Sequence, residues 1–263
     1  GIVDRIRAYF ASRPDRLELA GEPEVLPGGE SAKNGWEVVQ NIMWSIGNRH
    51  LCRQSFVVAV GGGTAGWMTA AMLSRIVGGQ LEIELVESDD IGIIGVGEAT
   101  IPPIQTVNAA LGLDEREFIR ETKASIKLAI RFENWRVPGE GYFHTFGAPG
   151  RGQAFCQFQH FWIRAALAGD RTTIWDYDLN YLCATAGKFA KLKVQDPIWE
   201  MQYAYHFDAG LYGQYLRRYC ETKGVRRTEG LIEDVELDAE SGYVTTLVLK
   251  SGEKVTGDLF VDC

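Results

Sequence analysis

From Phe56 onward the apolar and polar positions fall into short, legible runs. Phe56 to Val60 (FVVAV) is continuously apolar, the pattern of a strand covered on both faces in a parallel sheet. A glycine-rich turn follows, then an apolar helical stretch through Val77 and a second strand from Leu81 to Val86, closed by Glu87. This is a β-α-β unit of the usual length, about 30 residues. Asp114 to Glu121 predicts a short helix with Asp114 near its start. Ser125 to Trp135 alternates strictly, which predicts one strand with Ile126, Leu128, Ile130 and Phe132 on one face and Lys127 on the other.

Further on, Tyr142 to Phe146 predicts a strand and Gln157 to Ala168 a helix. Asp208 is placed to cap a helix running to Lys223, with Gly224 as its stop. Two strands, about Leu231 to Leu237 and Tyr243 to Lys250, flank an Asp-Ala-Glu-Ser-Gly turn, and Leu259 to Cys263 is a last apolar strand. Residues 1–54 read differently. They hold a short amphipathic stretch (Ile2 to Phe10), a Gly/Pro/Glu-rich run (Gly21 to Ser31) and a second short helical stretch (Trp36 to Ile46). They carry no motif and read as an extension or linker, so that 55–263 is the working region. The expected fold class is α/β: a Rossmann-like dinucleotide-binding domain with inserted α+β elements.

Composition changes the picture by exclusion. The 263 residues are 46% hydrophobic and 24% charged, ordinary for a globular protein. A net charge of −8 argues against nucleic acid or an anionic membrane as partner. Five scattered cysteines without a Cys-x-x-Cys pair argue against a disulfide framework or a zinc site, so a reducing cytoplasm is the expected setting. No apolar run approaches the roughly 20 residues that span a bilayer.

The turn after the first strand reads Gly61-Gly62-Gly63-Thr64-Ala65-Gly66, a Gly-x-Gly-x-x-Gly fingerprint in the strand–turn–helix setting it requires. Gly61 permits the turn, Gly63 admits a pyrophosphate and Gly66 lets helix and strand pack closely. The pyrophosphate rests on the helix N-terminus, where N–H groups and dipole favour an anion. Glu87, about 20 residues beyond Gly66, is placed to bond the adenosine ribose hydroxyls and disfavours a 2′-phosphate. The ligand is FAD or NAD; the fingerprint alone does not separate them.

Gly63-Thr64-Ala65-Gly66-Trp67-Met68 and Gly95-Val96-Gly97-Glu98-Ala99-Thr100-Ile101-Pro102 together resemble the flavin-dependent tryptophan halogenases. Lys127 within IKLAIRF, Asn134-Trp135, Phe143-His144-x-Phe146-Gly147, His206-Phe207-Asp208-Ala209 and Gly257 to Cys263 extend the likeness in the same order. The resemblance implies an FAD-binding domain of the glutathione-reductase kind joined to a module that builds the substrate site. It implies that Gly95, Val96, Gly97, Glu98 and Ala99 line the flavin, that Thr64 and Ala65 sit in its phosphate turn, and that Ile232 meets the adenine edge. It further implies reduced FAD (FADH2) delivered by a separate flavin reductase, and a halide ion oxidised to hypohalous acid. Lys127 matches the lysine that holds this oxidised halogen for an electron-rich, indole-like aromatic, and His144 and Phe146 match the residues that sandwich the ring. His206 reads as an interior histidine.

The likeness also departs. The family's Trp-x-Trp-x-Ile-Pro motif is absent, Trp162, Trp175 and Trp199 being isolated. The carboxylate that partners the lysine is implied downstream of Cys263. The expectation is therefore an N-terminal portion of a halogenase, inactive by itself unless Glu98 or Glu133 supplies that carboxylate. The same fold also serves flavin monooxygenases, and a flavin-binding remnant without catalysis is a third reading.

Overall fold

The computed structural model describes residues 56–91, 97–191, 194–195, 199–240 and 242–263. The features read in residues 1–54, and Gly95 and Val96, lie outside the described residues. The chain divides into two compact units.

The first unit is built on four parallel strands in the order β12-β1-β2-β8: β1 (Phe56–Val60), β2 (Glu82–Glu87), β8 (Arg226–Glu229) and β12 (Leu259–Asp262). Val57, Val58 and Ala59 are wholly buried, as a central parallel strand with both faces covered must be. On one face lies α1 (Gly63–Val77), which turns Trp67, Ala70, Ala71, Ser74 and Val77 inward at helical spacing. It packs on α6 (Ala209–Thr222), whose Cys220 Sγ reaches the Trp67 carbonyl at 3.8 Å. On the other face lies an antiparallel sheet, β11-β10-β9: β9 (Ile232–Leu237), β10 (Val244–Leu249) and β11 (Lys254–Thr256). Val58 and Val86 meet Leu247, Leu249 and Val255 there in one apolar core. The two-sided cover explains why FVVAV is apolar throughout.

The second unit holds α2 (Pro103–Leu111, as far as Ala109), α3 (Glu115–Thr122) and a three-stranded antiparallel sheet, β3-β7-β4. Its strands are β3 (Gly97–Ala99), β4 (Ser125–Lys127) and, between them, β7 (Ala204–Asp208). Asp114 caps α3 by accepting from the Glu117 N–H at 2.9 Å, as its place in the sequence predicted. A separate hairpin pairs β5 (Ala129–Glu133) with β6 (Gly141–Thr145). Two further helices, α4 (Phe158–Leu167) and α5 (Leu179–Thr185), follow.

The single strand predicted over Ser125 to Trp135 is thus two strands in two sheets, broken at Leu128. The Leu128 carbonyl does not join a ladder. It accepts from the Phe146 N–H at 3.1 Å and from the side-chain amide of Asn180 at 3.2 Å, and Asn180 also bonds the Gln202 carbonyl at 2.5 Å. Asn180, only 2% exposed, ties the break in place. Strand β7 was not foreseen, although Met201, Tyr203, Tyr205 and Phe207 are all buried at strict alternation.

Candidate functional site

In the first unit the parallel strands aim their C-terminal ends at the glycine turn. Gly61 and Gly63 adopt φ of 105° and 78°, in the left-handed region that side chains avoid. A Cβ on Gly66 would stand 1.9 Å from the Gly61 carbonyl oxygen, so only glycine lets α1 start against the turn. A Cβ on Gly63 would meet nothing within 4 Å, which leaves open space above the helix start. That helix start has no side-chain cap and no acidic residue in its first turn, and its positive dipole end favours an anion. A turn of this shape fits the pyrophosphate of a dinucleotide, FAD included, which Gly63, Thr64, Ala65 and Gly66 could meet with backbone.

Glu87 lies at the tip of β2 beside this turn, and each of its oxygens is already engaged once. One accepts from Arg227 Nε at 2.6 Å, the other from the indole N–H of Trp67 at 3.2 Å. Arg227 and Glu87 are 13% and 12% exposed, and a second nitrogen of Arg227 reaches Asp89 at 2.6 Å. A carboxylate oxygen accepts more than one hydrogen bond, so Glu87 is oriented by these partners and still open to a ribose hydroxyl. Sequence reasoning missed both partners, and it missed Gly62, whose Cβ would stand 2.3 Å from the nearer Glu87 oxygen. Ile232 opens β9 and packs against the apolar core of this unit.

In the second unit the focus is Lys127. Its place in β4 opposite Ala204 puts its side chain on the same sheet face as Ala204 and His206, while Tyr203, Tyr205 and Phe207 take the other face. Lys127 is 6% exposed, and its Nζ donates to the Thr100 carbonyl at 2.8 Å. The Phe146 ring lies 5.4 Å from the same nitrogen. Burial pulls the Lys127 pKa below the usual lysine range. His206 is pushed down as well, by burial first and then by the Lys127 charge.

His206 is exposed, not interior as its sequence setting suggested, because the sheet face it shares with Lys127 is open at that end. Phe146 follows β6 directly and comes to Lys127. His144, within β6 opposite Ile130, is exposed. Gly97, Glu98 and Ala99 form β3 opposite Asp208, Phe207 and His206. Glu98 takes the Phe207 face, away from Lys127, and Glu133 pairs with Arg131 at 2.7 Å. Neither therefore stands as the carboxylate partner of the amine. The described residues contain no cluster of three or more metal-ligating side chains, and none of their helices is long and apolar enough to cross a membrane.

Residues 56–263 match the tryptophan halogenase family model. The chain is 37% identical over 228 residues to tryptophan 6-halogenase ThaL of Streptomyces albogriseolus, covering 79% of this chain and 42% of that protein. It is 36% identical over 222 residues to tryptophan 7-halogenase RebH of Lentzea aerocolonigenes, with the same coverage. Among solved structures, Xcc4156, a flavin-dependent halogenase from Xanthomonas campestris, superposes with a TM-score of 0.74 at 49% identity, over 80% of this chain and 42% of that one. BrvH, a flavin-dependent halogenase from Brevundimonas sp. BAL3, gives 0.73 at 42% identity. The chain thus spans about two fifths of the length of the relatives it matches.

Proposed function

The chain belongs to the tryptophan halogenase family, and from that membership we propose that the protein carrying it halogenates an electron-rich aromatic of the indole type through the Lys127 amine. The observation that carries this reading is the buried Lys127 nitrogen, 2.8 Å from the Thr100 carbonyl and beside the Phe146 ring. Keeping a lysine out of water with no carboxylate partner among the described residues costs stability, and ionisable groups held at such a cost cluster at functional sites.

Bound FAD, in its reduced form and with oxygen and halide, supplies hypohalous acid. The turn from Gly61 to Gly66 holds the pyrophosphate, and Glu87, oriented by Arg227 and Trp67, holds the ribose. Burial keeps a fraction of Lys127 as neutral amine, whose lone pair is the nucleophile. The amine either hydrogen-bonds the acid or takes its halogen, the lost amine proton leaving with hydroxide as water. The aromatic carbon then takes the halogen from nitrogen and gives up its ring proton, and the amine regains one. Phe146 offers a flat apolar wall for the ring, and His144 stands as its partner across the substrate. A separate flavin reductase supplying reduced FAD belongs to the same proposal.

The test supplies the protein with FAD, a flavin reductase, bromide and indole, with bromoindole read by mass spectrometry. Product in the parent and none in Lys127→Ala, with flavin reoxidation intact in both, is the expected result. Equal product from both overturns the role of the lysine. Oxygenated indole in place of bromoindole would instead mark a monooxygenase.

A further inference from the structure

Lys127 is held by an arrangement that reaches well beyond its own strand. We propose that Thr100 is the positioning residue of the Lys127 amine, and that Tyr205 and Glu115 form the anchor behind it. This rests on the reading of Lys127 as the halogen-transfer lysine, but its geometry stands independently.

Thr100 is fastened to a single residue by three bonds. Its backbone N–H donates to the Tyr205 carbonyl at 3.0 Å, its hydroxyl donates to the same carbonyl at 2.9 Å, and that hydroxyl accepts from the Tyr205 N–H at 3.1 Å. Only a residue with a hydroxyl on Cβ makes this two-way clamp while leaving its own carbonyl free. That carbonyl is the acceptor of Lys127 Nζ. Lys127 sits in β4 and Thr100 follows β3, on opposite sides of β7, so the lysine crosses the central strand to reach it. Ala204 lies opposite Lys127 on the same face and is wholly buried; its small side chain lets the lysine stem pass.

The opposite face carries the anchor. Glu115, the first residue of α3, accepts from the hydroxyl of Tyr205 at 2.8 Å and from that of Tyr203, and its other oxygen pairs with Lys191. Phe118, 1% exposed, packs edge-on against Tyr205 at 4.9 Å and Phe207 at 5.5 Å. Burial raises the Glu115 pKa, but the bonds from Lys191 and the two tyrosines outweigh it and hold the group ionised. Tyr205 is thus gripped at its ring, its hydroxyl and its backbone, and Thr100 inherits that fixed position.

The consequence is directional. A carbonyl that takes one N–H hydrogen from Lys127 leaves the lone pair of the neutral amine aimed away from Thr100. A fixed carbonyl therefore fixes where an incoming halogen is met, and it also supports the charged form that burial opposes.

The experiment measures acetylation of Lys127 by acetic anhydride at neutral pH, by peptide mass spectrometry, with exposed Lys123 as internal reference. It uses the parent chain, Thr100→Val, Thr100→Ser and Tyr205→Phe. Thr100→Val removes the clamp, weakens support for the ammonium and frees the amine, so Lys127 should react about threefold faster or more relative to Lys123. Thr100→Ser should restore the parent rate, which a purely steric role of the threonine methyl would not. Tyr205→Phe should give a smaller increase, and it keeps the test alive if Thr100→Val does not fold. An unchanged Lys127-to-Lys123 ratio in folded Thr100→Val, or in Tyr205→Phe where that variant alone folds, overturns the proposal. So does failure of Thr100→Ser to rescue. In halogenation assays Thr100→Val should lower kcat while leaving KM for the aromatic near its parent value. Loss of product in Lys127→Ala with an unaffected Thr100→Val would overturn positioning alone; product retained in Lys127→Ala would overturn the lysine reading alone.

Discussion

Lys127 Nζ lies 2.8 Å from the carbonyl oxygen of Thr100, although β7 runs between the strands these residues belong to. The lysine is buried at 6% exposure and lies over Ala204 to make this bond. Two opposing effects act on it. The carbonyl and the Phe146 ring favour the ammonium, and burial disfavours it. Burial wins, and the pKa lies below the lysine norm of 10.5.

That imbalance makes the lysine a cost to the fold with a definite pH dependence. Below its folded pKa the group is charged in both native and unfolded chains, and the full burial penalty is present. Between the folded pKa and 10.5 the unfolded chain binds more protons, so stability rises with pH through that window. Lys127→Met should therefore raise the melting temperature at pH 7, by roughly a few degrees. The gain should shrink as pH approaches 10. His206, on the same face, titrates below 6.5 and stays silent in that range. A gain that held constant up to pH 10 would contradict the assignment of the shift to this amine.

At the glycine turn, Gly63→Val should abolish retention of FAD, read as yellow colour through gel filtration. The backbone there has φ of 78°, which costs a side chain about 1 kcal/mol or more, and the valine would occupy the open space above the helix start. Gly62→Ala should also weaken retention for a different reason: its Cβ must push Glu87 aside. FAD bound equally well by Gly63→Val would refute the site.

Arg227→Met separates fold from ligand. It leaves Glu87, 12% exposed, without its main counter-charge and should cost about 1–3 kcal/mol in urea unfolding. FAD affinity should fall as well, because Glu87 loses the group that sets its rotamer. Retained affinity with lost stability would mean that the arginine serves the strand edge only.

Asn180→Ala removes the side chain that bridges the Leu128 and Gln202 carbonyls at the break between β4 and β5. A destabilisation of about 1–3 kcal/mol is expected for leaving buried carbonyls short of a donor. Hydrogen exchange should rise at Phe146 and Lys127, the neighbours of that break. Protection unchanged at both positions would show that the kink holds without Asn180.

What the sequence determined by itself is local or periodic. The run FVVAV followed by Gly61 to Gly66 specifies a buried parallel strand and a phosphate turn, since positive φ and close approach admit little but glycine. Asp114 announces the start of α3 by a bond to a backbone three residues away. The family likeness was legible through short motifs in order. Tertiary structure alone decided where Lys127 points and what holds it. Strict alternation from Ser125 to Trp135 describes one strand, and only the distant Asn180 and Phe146 break it at Leu128. The strand that aligns the site, β7, carries its pattern openly, but its partners lie 77 to 111 residues away in the chain, and Thr100 lies 105 residues from Tyr205. Periodicity reports which face of an element is apolar; it does not report which other element meets that face. Partners such as Arg227 for Glu87, or Thr100 for Lys127, arise from strand order, and strand order is a property of the folded chain.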